Sequence, residues 1–138
     1  MIMTNHLITD HDRSRLGTML ERAHHRGLAQ PKNLHALEAG LEQARWIEAT
    51  KVPEDVVTMN SIVELFDLAT QDEETYTLVY PERASVLEGR LSVLAPLGAA
   101  ILGARLGDEV TVPTPSGSRR VRITRIHFQP ERAGRYDL

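Results

Sequence analysis

The feature that most limits the fold of this chain is a change of hydrophobic period near Val52-Pro53. Before this point, apolar residues recur at spacings of three and four, which is the period of an α-helix with one packed side. After it, short runs rich in β-branched residues alternate with polar and turn residues, as strands do. The change predicts an α+β chain, with residues 1–52 as a helical hairpin and residues 53–138 as a mainly β domain.

The first helix of the hairpin is predicted over residues 9–26. Thr9 suits the N-cap position, and Asp12 lies three residues later, where a carboxylate favours a helix start. Gly27 suits the left-handed conformation that ends many helices. The second helix is predicted after Pro31, and two such helices form a short antiparallel hairpin about 22 Å long. Its apolar seam is Leu34, Leu37, Leu41 and Ala44.

Trp46 and Ile47 follow the second helix. The seam of the hairpin has too few apolar side chains for an independent fold. We therefore expect both residues to pack on the domain that follows, with Trp46 in its core, as is usual for a large aromatic side chain.

The β domain is predicted as one antiparallel sheet with one short helix. The helix fits Leu97–Gly103, because Pro96 suits a helix start and Gly103 a helix end. Gln71-Asp72-Glu73-Glu74 is predicted as a hairpin loop. The predicted strands cover residues 56–59, 61–68, 75–80, 109–112 and 119–128.

The last strand has an irregular pattern. Val121 and Ile123 share one face, whereas Ile126 and Phe128 have the opposite parity. Both pairs reach one core only if an extra residue is inserted, which predicts a β-bulge near Thr124-Arg125.

Composition excludes several classes of function. The chain has no cysteine, so it has neither disulfides nor thiolate metal ligands. Its net charge of −3 argues against a protein that mainly wraps nucleic acid. Charged residues interrupt the first 20 residues, which lack the apolar core of a signal peptide or a membrane span. We therefore expect a cytoplasmic protein that does not contact the membrane.

Four segments resemble the C-terminal domain of the Gre transcript-cleavage factors in their order and spacing. They are residues 56–61, 77–81, 91–103 and 107–108. The hairpin length, the Ala95-Pro96 step and the tail over residues 128–136 are similar to the Rnk branch of this family, the regulators of nucleoside diphosphate kinase.

The resemblance implies an FKBP-like domain that docks on the rim of the RNA polymerase secondary channel. There it would grip the coiled coil of the largest subunit, while the helical hairpin points into the channel. The Gre docking pattern, Ile-Ser-x-Asp-Ser-Pro, implies polymerase docking at residues 91–96. Ser92 and Pro96 match it, whereas Leu94 and Ala95 replace the aspartate and the second serine with apolar side chains.

The tip of the hairpin departs from the Gre pattern, in which an acidic pair shares a magnesium ion with the polymerase. Residues 24–32 contain no Asp or Glu, and hard cations need carboxylate oxygens. The missing acids predict a protein that occupies the channel entrance without stimulating cleavage and that competes with cleavage factors. The resemblance implies no enzyme activity, and we expect a monomer without metal or cofactor. The residues at the predicted tip are His24, His25, Arg26 and Lys32.

Other groups of residues have weaker functional interpretations. Arg120, Arg122 and Arg125 give the last strand a basic side, which is either a solvated face or a weak contact for polymerase or nucleic-acid phosphate. The histidines of the hairpin do not complete a metal ligand set. Glu38 and Glu42, one turn apart on the second helix, are expected to oppose nearby basic side chains.

Two alternative functions stay open. FKBP-like sheets host peptidyl-prolyl isomerases, but fold alone is weak evidence. Such a pocket needs an aromatic lining, and the four candidates are scarcely enough to fill the core: Phe66, Tyr76, Tyr80 and Phe128. The other alternative is an adaptor that acts directly on nucleoside diphosphate kinase, for which the sequence offers no docking motif.

Overall fold

A computed structural model describes residues 6–27 and 30–138, which form a mixed α+β fold. Strand β1 (Leu7–Thr9) leads directly into helix α1 (Asp10–Arg26). The Thr9 hydroxyl accepts a hydrogen bond from the Asp12 amide at 3.0 Å, which confirms the predicted N-cap. Gly27 has a φ of 60°, so α1 ends in the left-handed conformation that the sequence predicted.

Helix α2 (Pro31–Gln43) begins at the predicted proline. Both helices bury their apolar sides in the same core as the strands, so they lie against the β part of the chain. Within the described residues, no helix is long and apolar enough to cross a membrane. The apolar side chains that the two helices bury are Leu16, Leu20, Ala23, Leu34, Leu37 and Leu41.

Strand β2 (Arg45–Ile47) pairs in parallel with β1, which the sequence did not predict. Trp46 lies in this strand and is 39% exposed, so the prediction that it packs in the core is wrong. The strand holds the indole beside α1, where the Arg13 guanidinium carbon lies 4.1 Å from the ring centre. The ring therefore makes a cation–π contact with Arg13 on the protein surface.

We expect the fluorescence of Trp46, the one tryptophan of the chain, to be that of a partly hydrated indole. Its emission maximum should shift only slightly on unfolding, and Arg13→Ala should move the native maximum to longer wavelength. Arg22→Ala, on the same helix, is the matched control and should leave the spectrum unchanged. Blue native emission that moves strongly to the red in denaturant would contradict this environment.

Five strands form the main sheet in the order β5-β4-β3-β7-β6. Neighbouring strands are antiparallel except β4 and β5, so the prediction of an all-antiparallel sheet is wrong for that pair. Parallel pairing requires a crossover, which the residues between these two strands supply. The strands are β3 (Ile62–Asp67), β4 (Glu73–Val79), β5 (Arg90–Ser92), β6 (Glu109–Thr114) and β7 (Gly117–Phe128).

Two further segments differ from the prediction. Residues 56–59 are not a strand, because Val56 forms a single bridge with Arg105 and a turn follows at once. Glu73 and Glu74 belong to β4 instead of a loop, since the chain reverses earlier, at Gln71, whose φ is 65°. The predicted short helix is present as α3 (Pro96–Ile101).

The predicted bulge in β7 is confirmed. The pairing register shifts between the partners of Glu64 and Leu65, which leaves Thr124 as the extra residue. A second shift, at His127, was not predicted. Because of it, Phe128 pairs with Ile62 and is only half-buried, so the prediction that Phe128 shares the core with Ile126 is wrong. The first bulge brings residues of opposite parity to one buried face, which consists of Val121, Ile123 and Ile126.

Candidate protein-interaction site

The predicted docking segment, residues 91–96, connects the edge strand β5 to α3. It turns sharply, because Ser92 Oγ accepts from the Leu94 amide and the Ser92 carbonyl accepts from the Ala95 amide, both at 3.0 Å. Leu94 is 6% exposed, whereas Pro96 is exposed and Ala95 half-buried. The apolar surface of the segment is therefore formed by Ala95 and Pro96, while Leu94 mainly anchors the turn.

Gly98 fixes the position of this turn on α3. A Cβ atom at residue 98 would lie 2.1 Å from the Ser92 carbonyl oxygen and 2.9 Å from its carbon. Both are backbone atoms, so the contact cannot be relieved by a side-chain rotation. The absence of a side chain at Gly98 is what allows the docking segment to lie directly on the helix.

A cavity of about 720 Å³ lies between α2, the docking segment and the turn that joins β6 to β7. Lys32 of α2 lines it together with Leu94 and Pro96. Lys32, a residue of the predicted hairpin tip, thus lies beside the docking segment in the structure. The sequence predicted that the tip and this segment are separate regions. The β6–β7 turn closes the cavity with Pro113 and Pro115.

The rest of the predicted tip lies at the end of α1. His24, His25 and Arg26 are exposed, and residues 28–29 lie outside the described residues. His24 Nε2 and Glu38 Oε1 are 2.6 Å apart, so the prediction of a basic partner is confirmed for Glu38. This contact also places the Glu38 carboxylate beside the hairpin tip, whereas the sequence predicted that Glu38 lies away from the tip. Among the described residues, the Glu42 carboxylate has no Lys, Arg or His nitrogen within 4.0 Å.

Comparison with known proteins identifies the family. Residues 52–128 match the family described as transcription elongation factor GreA/GreB, C-terminal. The regulator of nucleoside diphosphate kinase of Escherichia coli (strain K12) is 38% identical over 133 residues, which are 96% of each chain. The chain belongs to the GreA/GreB family. The resemblance found in the sequence is confirmed, including its Rnk branch.

Other GreA/GreB-family members are similar over different spans. Transcription elongation factor GreA of Geobacillus kaustophilus is 39% identical over 93 residues, which are 67% of this chain and 59% of that protein. The solved structure of the GreA/GreB elongation factor from Nitrosomonas europaea is 34% identical, with a TM-score of 0.72 over 90% of this chain and 100% of that one. These relatives are named as a regulator and as elongation factors, not as enzymes.

The basic side of β7 is partly neutralised in this GreA/GreB-family chain. Arg120 and Arg122 both donate to the Glu109 carboxylate, at 2.7 and 2.8 Å. The hydrogen bond from Arg122 lowers the pKa of Glu109 from its usual value. Arg125 has no carboxylate within 4.0 Å in the part of the chain that the structure describes. The predicted basic surface thus reduces to one arginine without an acidic neighbour.

Sequence reasoning missed a buried polar cluster that joins α1 to the β domain. Asp12 is 2% exposed, and its carboxylate accepts a hydrogen bond from the Met59 amide at 3.0 Å. Burial, assisted by the charge of Glu131, raises the pKa of Asp12 to about 7. The available signal was the position of Asp12, four residues before the buried Leu16 on the same side of α1.

The C-terminal tail completes this cluster. Glu131 accepts a hydrogen bond from the Thr58 hydroxyl at 2.7 Å, and the Gln129 side chain donates to the Val56 carbonyl at 2.8 Å. The tail segment that resembles the Rnk branch therefore has a structural role, because it ties residues 56–59 in place. Across residues 6–27 and 30–138, no three His, Asp or Glu side chains form a group that could hold a metal ion.

Proposed function

We propose that this chain is a non-catalytic regulator of transcription elongation that binds RNA polymerase in the cytoplasm and occupies its secondary channel. The observation that carries the proposal is the pairing of a GreA/GreB C-terminal match with a hairpin tip that lacks carboxylates over residues 24–32. A protein with this domain and without those acids can occupy the site of a cleavage factor but cannot hold the magnesium ion that cleavage needs.

The two parts of the chain have different roles in this proposal. Residues 53–138 act as an FKBP-like docking domain that grips the coiled coil of the largest polymerase subunit. Ser92, Leu94, Ala95 and Pro96 form the docking segment, with Ala95 and Pro96 at the surface. Residues 1–52 act as an antiparallel hairpin, a short coiled coil whose basic tip stands at the channel entrance. The protein acts as a monomer, and Arg125 offers at most a weak contact to nucleic acid.

The proposed docking is tested by placing a charge on the docking surface. Pro96→Glu should weaken binding to core RNA polymerase by at least about tenfold, because a carboxylate replaces an apolar contact at the interface. The fold should persist, since a glutamate at the first position of a helix is favourable. Ala133→Glu introduces the same charge at an exposed position of the C-terminal tail and serves as the matched control.

Binding is measured by the retention of polymerase on immobilised protein and by a titration in solution. Wild-type affinity in Pro96→Glu would show that residues 91–96 are not the docking segment. A control variant that loses binding equally would indicate a nonspecific effect of charge.

A second function is favoured by one observation, the 96% mutual coverage with a protein named regulator of nucleoside diphosphate kinase. In this proposal the chain binds the kinase directly and changes its activity. Purified kinase assayed with and without the chain separates this route from an indirect effect on transcription. Unchanged activity at saturating concentrations of the chain would exclude direct regulation.

A further inference from the structure

A second cavity, of about 730 Å³, lies between α1 and the residues that follow β4. One wall is the stretch Tyr80-Pro81-Glu82, and the helix side includes Ser14, Thr18 and Met19. Three arginines of α1, Arg15, Arg22 and Arg26, also line it. Neither the docking segment nor the buried cluster at Asp12 explains why three cations line one cavity.

The helix geometry aligns these arginines. Arg22 and Arg26 follow Arg15 by 7 and 11 residues. At about 100° per residue, both lie within about 20° of Arg15 around the helix axis. The three side chains therefore start from one stripe, which is about 16 Å long at the usual rise per residue.

These arginines lack acidic partners. The arginine ion pairs among the described residues involve Arg90, Arg119, Arg120, Arg122 and Arg135, and none of the three that line the cavity. The segments outside the described residues, 1–5 and 28–29, contain no Asp or Glu. The cavity lining therefore has three guanidinium groups and one carboxylate, that of Glu82, which forms no ion pair with them within 4.0 Å. The excess of positive charge is left to solvent ions or to a ligand.

One of the three is already held in place. The Arg15 guanidinium carbon lies 4.5 Å from the centre of the Tyr80 ring, and its Nη1 lies 3.4 Å from His11 Nε2. Tyr80 is 5% exposed, so the ring is a fixed support for this cation. A pre-positioned guanidinium loses less entropy when it binds an anion than a freely moving side chain does.

We propose that this cavity binds a nucleotide-sized oligophosphate, such as a nucleoside di- or triphosphate. Guanidinium groups bind phosphate oxygens in bidentate fashion, and the volume lies within the usual range of small-ligand sites. Met19 and Pro81 offer an apolar wall to the rest of the ligand. Glu82 at the wall and the net charge of −3 disfavour a long polyanion such as RNA.

The proposal goes beyond the proposed function and is tested on the isolated full chain, without polymerase. Inorganic pyrophosphate, inorganic tripolyphosphate and a nucleoside diphosphate are titrated by calorimetry at about 0.1 M salt, which limits nonspecific binding. We expect one site per chain for each probe. In Arg22→Ala/Arg26→Ala the affinity should fall at least about tenfold, since two of three charged contacts are lost.

The matched control is Arg45→Ala/Arg105→Ala, which removes the same charge from two exposed arginines outside the cavity. Its affinity should change by less than about twofold. Thermal unfolding of both double variants checks that they are folded, as expected for exposed side chains.

Two results would overturn the proposal. The first is that none of the probes binds at millimolar concentration. The second is that the control variant loses as much affinity as Arg22→Ala/Arg26→Ala. An RNA decamer provides the remaining arm of the test. If the decamer binds more tightly than tripolyphosphate and depends on the same two arginines, the surface is a nucleic-acid contact and the small-ligand site is rejected.

Discussion

Gly98→Ala is expected to lower the free energy of unfolding by about 3 kcal/mol, the cost of forcing an extra carbon into a packed site. The new Cβ would lie 2.1 Å from the Ser92 carbonyl oxygen, which belongs to the backbone of the docking segment. The segment has to move away from α3 to relieve this overlap. Polymerase binding should therefore weaken together with stability.

Gly17→Ala is the matched control, because the same atom added to α1 meets no heavy atom within 4 Å. In the interior of a helix this change should raise the free energy of unfolding by about 1 kcal/mol. Urea denaturation of both variants gives the comparison. If the two substitutions have the same effect on stability, the close approach of Gly98 to Ser92 is wrong.

The second large effect is a dependence of stability on pH that originates at Asp12. Burial raises its pKa to about 7 in the folded state, so the native chain keeps a proton that the unfolded chain releases at lower pH. This contribution to stability is full below the ordinary pKa of an aspartate and is lost as the pH rises through about 7. Between about pH 5.5 and pH 8 the loss should be about 2 kcal/mol.

Asp12→Asn should remove this pH dependence, because an amide cannot ionise but its oxygen can still accept the hydrogen bond from the Met59 amide. His6 acts in the opposite direction, since burial lowers its pKa and its contribution is lost as the pH falls. The difference between wild type and Asp12→Asn at each pH cancels the effect of His6.

Asp72→Asn, in an exposed loop, is the matched control and should follow the wild-type curve. The measurement is urea denaturation across the pH range. A difference between wild type and Asp12→Asn that stays constant from about pH 5.5 to pH 8 would contradict the raised pKa of Asp12.

The parts of the fold that sequence predicted are those with local signals. Thr9 and Gly27 limit α1 through capping chemistry that depends on a few neighbouring residues. The bulge at Thr124 could be predicted because the apolar residues of β7 change parity, which needs one extra residue in the strand. These features are determined within a few residues of chain and need no knowledge of tertiary packing.

The features that sequence missed depend on contacts between distant segments. Strands β1 and β2 have three residues each, too few to show a period, and they exist because they pair with each other. Trp46 lies in the exposed strand β2 and contacts Arg13, a neighbour that only the packed structure supplies. The same holds for Asp12, whose burial requires Met59 and the C-terminal tail to cover α1.

The candidate site was predictable in part. The resemblance implies docking at residues 91–96, which stays a prediction. How much of each side chain lies at the surface depends on how the turn packs on α3. Leu94 is consequently buried although its apolar character suggested a contact. The cavity that Lys32 shares with Pro96 follows from the packing of α2 against α3, which no local pattern in the sequence indicates.

The proposed function requires this chain to occupy the secondary channel without supporting RNA cleavage. It is tested by transcript cleavage in backtracked elongation complexes, with a Gre cleavage factor at fixed concentration and increasing amounts of this chain. We expect no cleavage above background from the chain alone and a dose-dependent inhibition of the Gre factor, which Pro96→Glu weakens. Stimulated cleavage by the chain alone, or undiminished Gre activity at a saturating excess, would contradict it.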